Sequence, residues 1–115
     1  MEQKLHPVLS VRLFTDEKCF GPGVAALLTL VKTCHSLRAA AMEMGMAYSK
    51  AWTIIKRAEA GLGFALLSST TGGKNGGGAT LTPQAEAILA AYARYCGEVR
   101  AYAAQRFEED FREFL

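Results

Sequence analysis

Ser36-Leu37-Arg38-Ala39-Ala40-Ala41-Met42-Glu43-Met44-Gly45-Met46-Ala47-Tyr48-Ser49-Lys50-Ala51, "SLRAAAMEMGMAYSKA", is the stretch on which the fold turns. Ser36 is a good N-cap for a short helix through Met44, because its hydroxyl can accept from a backbone N–H left without a partner in the first turn. Gly45 stands where a helix C-cap glycine belongs. After only Met46 and Ala47 the helical pattern resumes at Tyr48 and continues to about Ala60. Two helices joined by a turn of about three or four residues with a glycine in it form the helix-turn-helix arrangement.

The second of these helices has two faces. At about 100° per residue, Ala51, Ile55, Ala58 and Leu62 fall within about 40° of one another and pack inward, with Ala47 and Ile54 on their flanks. Ser49, Thr53, Lys56 and, more laterally, Arg57 point the opposite way, Lys50 lies on one flank, and Trp52 sits at the edge of both faces. Short polar residues and cations on an outward face are free to touch a ligand, or simply to be solvated.

Working outward, Val8 to Phe14 alternates, with Val8, Ser10 and Arg12 opposed to Leu9, Val11 and Leu13, which predicts a short half-buried strand. Gly21-Pro22-Gly23 breaks the chain, and Pro22 suits a helix start. Apolar Val24, Leu27, Leu28, Val31 and Cys34 then follow the spacing of an amphipathic helix. Downstream, Phe64–Thr70 and Ala79–Thr82 read as two short strands around a glycine run, a β-hairpin with a long loop.

Thr82-Pro83 is an N-cap followed by a proline in the first helical position. No breaker except Gly97 appears before Leu115, and a helix of that length would span about 50 Å, more than so small a core covers. Its apolar positions Tyr92, Cys96, Val99, Ala103, Phe107, Phe111 and Phe114 advance by about 3.67 residues per step, close to a straight helix. Such a stripe wants a partner, most simply the same helix of a second copy; the alternative is a helix that folds back at Gly97 onto its own core. The element order predicts a mainly α fold with a small β-hairpin. That is a winged helix-turn-helix over residues 1–81 and a long C-terminal dimerisation helix over 82–115, within one globular unit.

Composition narrows the function. Half of the 115 residues are hydrophobic, which excludes a disordered chain, and no apolar run approaches the ~20 residues of a membrane helix. The N-terminus has no signal-peptide pattern, so a cytoplasmic protein is expected. Cys19, Cys34 and Cys96 are odd in number and widely spaced, and His6 and His35 lack partners at ligand spacing; no metal, cofactor or disulfide framework is expected. Net charge is +2, but residues 45–75 carry four cations against Glu59, whereas residues 105–115 carry two arginines against four acids. A polyanion should therefore meet the chain near the glycine run.

That run, Gly72-Gly73-Lys74-Asn75-Gly76-Gly77-Gly78, admits three readings. A phosphate cradle of the NTPase type requires Ser or Thr after the lysine and a helix after the glycines; here Asn75 and a strand follow, and no catalytic carboxylate pair or Ser/His/Asp set accompanies them. An enzyme is not expected. A slack linker predicts two independent parts, neither with enough residues for a core. A hairpin tip lets backbone N–H groups approach phosphates without Cβ obstruction, with Lys74 adding charge at the apex.

Several of these segments together resemble the N-terminal domain of ModE-type molybdate-responsive regulators, which is related to the LysR-type winged helix. The segments are Ser36–Ala41, Gly45–Trp52, the tract Thr71-Gly72-Gly73-Lys74-Asn75-Gly76-Gly77-Gly78-Ala79, the pair Leu81-Thr82, and Phe20-Gly21-Pro22-Gly23, which matches the family's lead into its first helix. The likeness runs from about Lys4 to Tyr95. It implies a DNA-binding homodimer in transcriptional regulation, with the helix from Tyr48 as recognition helix and the glycine tract as wing. Expected contacts to double-stranded DNA are Ser49, Lys50, Thr53, Lys56 and Arg57 on that helix, and Thr71, Gly72, Gly73, Lys74, Asn75, Gly76 and Gly77 on the wing. Tyr92, Cys96, Val99, Ala103, Phe107 and Phe111 are the expected dimer contacts. Full-length members carry C-terminal molybdate-binding domains with no match here, so molybdate is not expected to bind this chain alone. Ala47 and Ala85 depart from the family, standing where Ser and Gly are common. The alternative is a winged-helix module that binds a protein or an oxyanion and not DNA.

Overall fold

The computed structural model describes residues 3–70 and 78–115. Its elements are β1 (Leu13–Phe14), β2 (Lys18–Phe20), α1 (Pro22–Cys34), α2 (Leu37–Glu43), α3 (Tyr48–Leu62), β3 (Leu67–Thr70), β4 (Gly78–Leu81) and α4 (Pro83–Asp110), followed by a 3₁₀ turn at Arg112–Phe114. β1 pairs antiparallel with β2, and β3 with β4, as two separate two-stranded sheets. The architecture is a winged helix with a long C-terminal helix, as the element order predicts.

Each helix begins and ends for a local reason. α1 starts on Pro22, whose missing N–H costs nothing at that position. α2 is capped by Ser36, whose Oγ accepts from the Ala39 N–H at 3.1 Å, and the chain leaves it through Gly45 at φ +70°, a left-handed conformation that favours glycine. α3 runs two residues past Ala60, to Leu62. Thr82 caps α4 by accepting from the Ala85 N–H at 3.1 Å, and its own hydroxyl donates to the Ala65 carbonyl at 2.7 Å.

The core lies where α1, α2 and α3 meet. Leu27, Leu28 and Val31 of α1 are fully buried against Ala40 and Ala41 of α2 and against Ala51, Ile55 and Ala58 of α3. Alanines dominate the contacts of α2 and α3, and small residues let helices approach closely. Closest of all is Gly61, where an added Cβ would lie 2.5 Å from the Cβ of Cys19 on β2.

Three expectations need correction. The strand expected over Val8–Phe14 is only Leu13–Phe14, paired with Lys18–Phe20. Val8 is 85% exposed, and the segment before β1 has no ladder partner; it lies beside α4, to which the Tyr92 hydroxyl ties it by donating to the Val11 carbonyl at 2.6 Å. In the hairpin, the first strand starts at Leu67 and not at Phe64, with Leu67 opposite Leu81 and Thr70 opposite Gly78. The last helix stops at Asp110, short of Leu115, because Glu108, Glu109 and Asp110 place negative charge at the negative end of the helix dipole. Arg106 offsets part of this, bridging Glu109 at 3.1 Å and Asp110 at 2.7 Å. α4 passes Gly97 without a break, so the fold-back alternative does not occur. No helix among the described residues is long and apolar enough to cross a membrane.

Tyr92 sits where α4 leaves the core, its ring edge-on to Phe20 at 5.0 Å. Burial, reinforced by the neighbouring Cys96 side chain, pushes its phenol above the usual tyrosine range, against the opposing pull of Arg100 and Arg12. An acid whose pKa is raised by folding favours the folded state while protonated. That stability is present below the unfolded value of about 10 and is lost as pH rises through the folded value. Chemical denaturation across alkaline pH should show the wild type losing stability above about pH 10 more steeply than Tyr92→Phe. Gly61→Ala should cost about 1–3 kcal/mol in urea denaturation, since α3 or β2 must move to admit the methyl group.

Candidate nucleic-acid interface

α3 presents the face that its periodicity describes. Ala51, Ile55 and Ala58 are buried, and Ser49, Lys50, Thr53, Lys56 and Arg57 are all exposed. The Thr53 hydroxyl donates back to the Ser49 carbonyl at 2.9 Å, which leaves its lone pairs turned outward as acceptors. Ala47, at the N-cap, supplies no side-chain bond to the first turn.

The cations of this face are not equivalent. Lys56 is paired with Glu59 at 3.3 Å and stands 5.5 Å over the Trp52 ring. Arg57 lies on the flank toward the β1–β2 turn, where it lines a cavity of about 470 Å³ together with Asp16, Glu17 and Lys18. Lys50 remains on the open face. The expected contacts Thr71, Gly72, Gly73, Lys74, Asn75, Gly76 and Gly77 lie outside the described residues.

Glu59 does two things at once. Its Oε1 meets Lys56, and its Oε2 accepts from the Leu66 N–H at 2.7 Å and, at a longer 3.4 Å, from the Leu67 N–H. Leu66 and Leu67 lead into β3, so one carboxylate joins the exposed helix to the base of the hairpin. Two further backbone bonds complete the anchorage. The Ala79 N–H donates to the His35 carbonyl at 2.9 Å, and the Thr82 N–H to the Leu66 carbonyl at 3.0 Å. The hairpin thus stands at a set angle beside α3.

Between them runs a groove of about 360 Å³, walled by Arg38, Tyr48, Trp52 and Lys56 on one side and by Ser69, Gly78 and Ala79 of the hairpin on the other. Arg38 and Tyr48 were not among the expected site residues. The signal for Arg38 was present: Leu37, Ala40 and Ala41 form the inward set of α2, and the same period turns Arg38 outward. Its guanidinium lies 4.2 Å from the centre of the Tyr48 ring, a pairing across two elements that no local pattern announces.

The profile of the bacterial regulatory helix-turn-helix proteins of the lysR family matches residues 24–86, from α1 through the hairpin into α4. The chain belongs to that family. That family is one of regulatory helix-turn-helix proteins. Among its relatives, the molybdenum-pterin-binding protein MopB of Rhodobacter capsulatus is 40% identical over 67 residues, 58% of this chain and 25% of MopB. The molybdenum transport protein ModE of Herbaspirillum seropedicae is 39% identical over 67 residues, again 58% of this chain and 25% of that protein. The transcriptional regulator ModE of Haemophilus influenzae is 37% identical over 84 residues, 73% of this chain and 31% of the regulator. The resemblance to ModE-type regulators is borne out, and this lysR-type chain spans about a quarter to a third of the length of those relatives.

Because Glu59 satisfies a backbone donor at the foot of the hairpin, Glu59→Ala should lower unfolding free energy by about 1–3 kcal/mol. Glu59→Gln, which keeps an acceptor oxygen but loses the ion pair and the charge of the acceptor, should cost less than Glu59→Ala, about 1 kcal/mol. Denaturant titration of the two variants beside the wild type measures the difference.

Proposed function

We propose that the chain is a homodimeric DNA-binding regulator of transcription, acting in the cytoplasm, with α3 in the major groove and the hairpin against the sugar-phosphate backbone. The observation that carries this reading is the exposed Ser49–Lys50–Thr53 face of α3, held beside a hairpin that Glu59 and Thr82 anchor. Ser49, Lys50 and Thr53 face base edges, Lys56 and Arg57 lie toward groove edges or phosphates, and the tract from Thr71 to Gly77 touches the backbone. The names of two of the three relatives tie them to molybdenum, and molybdenum-related regulation is the setting we favour. We assign no molybdate binding to a chain whose likeness covers 25–31% of their length.

The second copy meets α4. Tyr92 and Cys96 belong to the chain's own core, which leaves Val99, Ala103, Phe107 and Phe111 for a partner. Phe107, Phe111 and Phe114 form a continuous aromatic ladder, with centroids 5.0 and 6.3 Å apart, and Tyr95, Tyr102 and Leu115 are exposed along the same helix and its end. Two α3 helices in such a dimer would read half-sites about one turn of DNA, ~34 Å, or a multiple of it apart.

Fluorescence anisotropy with duplex from upstream of the gene, against scrambled duplex at several salt concentrations, tests the reading. Preference for its own DNA, with log K falling steeply against log[salt], supports it. A protein that binds neither duplex at low salt is instead an interaction or oxyanion-binding module, a reading that the internal pairing of Lys56 would then favour. Phe107→Glu with Phe111→Glu should sediment as a monomer and bind roughly a hundred-fold more weakly, through loss of the second contact.

A further inference from the structure

The groove between α3 and the hairpin holds a cation that the expected contact set leaves out. Arg38 is exposed on α2, and among the described residues no carboxylate pairs with it, whereas Lys32, Lys56 and Arg106 all have acidic partners. Its guanidinium is stacked 4.2 Å from the Tyr48 ring centre. Stacking occupies the flat face of a guanidinium and leaves its edge N–H groups free, in the fork geometry that matches two oxygens of a phosphate.

The rest of the groove is compatible with an anion at that edge. Its one acid, Glu59, has both oxygens engaged, by Lys56 and by the Leu66 N–H. Lys56 is correspondingly neutralised, so Arg38 carries the uncompensated positive charge of the groove. Ser69 adds a hydroxyl on the opposite wall, and about 360 Å³ is room enough for a phosphodiester with part of its sugar.

We propose that this groove seats one phosphate of the DNA backbone, gripped by Arg38, with Tyr48 as the positioning residue that holds the guanidinium edge-outward. The proposal rests on the DNA-binding reading above and adds to it a contact from α2. Such a contact fixes the depth at which α3 enters the groove and carries no base preference.

Arg38→Gln, Arg38→Lys, Tyr48→Phe and Tyr48→Leu test it by anisotropy on own and scrambled duplexes across a salt series, with thermal melts recorded for each. Arg38→Gln should weaken both duplexes equally, by roughly ten- to a hundred-fold at low salt, and flatten the slope of log K against log[salt] by about one. Arg38→Lys should keep the slope and lose part of the affinity. Tyr48→Phe should bind within about twofold of wild type, and Tyr48→Leu should lose affinity at unchanged slope, because the charge remains and its support does not. If wild type binds DNA and Arg38→Gln keeps both affinity and slope, the phosphate seat is overturned while the DNA reading stands. If Tyr48→Leu binds as wild type does, the positioning role is overturned. If wild type binds neither duplex, the DNA-binding reading falls and takes the seat with it.

Discussion

A single carboxylate sets the geometry on which everything else depends. Glu59 sits on α3 with its side chain 15% exposed, and its two oxygens divide between a lysine one turn back and the backbone N–H of Leu66 at the foot of the hairpin. A helix and a hairpin that were to lie on one duplex would have to keep a constant separation, and residues 63–66 between them contain no regular element that would do so. A hydrogen bond to a charged acceptor is stronger and shorter than a neutral one, so Glu59 supplies the rigidity that this short connection lacks. The Thr82 hydroxyl, bonded to Ala65 while it caps α4, repeats the device from the other side. The wing base is therefore held by α3, α4 and the end of α1 together.

The helix-turn-helix was legible because each of its boundaries is a local event. Ser36 caps, Gly45 turns left-handed, and the apolar period of Ala51, Ile55 and Ala58 needs no knowledge of the rest of the chain. Thr82-Pro83 is local in the same sense. What could not be read is non-local. The β1–β2 pairing is too short for a periodic signal, and the extension of Val8–Phe14 failed because alternation shows which face a segment could bury, not whether a second strand lies beside it. Here the neighbour is α4, and only Val11 and Leu13 reach the core.

The candidate site divides along the same line. That Ser49, Lys50, Thr53, Lys56 and Arg57 are exposed follows from helical phase. How their charges are spent does not: the pairing of Lys56 with Glu59 is an i,i+3 contact chosen among rotamers, and Arg57 shares a cavity with Asp16 and Glu17 through the tertiary placement of the β1–β2 turn. Arg38 and Tyr48 are ten positions apart and meet only because the Gly45 turn brings the start of α3 back past the start of α2. A count of cations on α3 therefore misstates the field a polyanion would meet. One lysine is subtracted by Glu59, and one arginine is added from the preceding helix.

The stripe on α4 is likewise one pattern serving two ends. Tyr92 and Cys96 belong to the core of the chain, and their period continues unbroken through Val99, Ala103 and Phe107, beyond the region the other helices cover. A sequence period does not record where the core stops; that is set by the size of the α1–α3 bundle. Past that point Val99, Ala103 and Phe107 are only half-buried, and the molecule as a whole spans 61 Å in its longest dimension. The aromatic ladder from Phe107 to Phe114 buries little of itself within one chain, so burial against a second chain would return the apolar area that the monomer leaves in water. Tyr92 is the hinge point of this division. It fastens the N-terminal segment to α4 through Val11 and packs on Phe20, so the N-terminal segment, α4 and the winged helix meet at that ring.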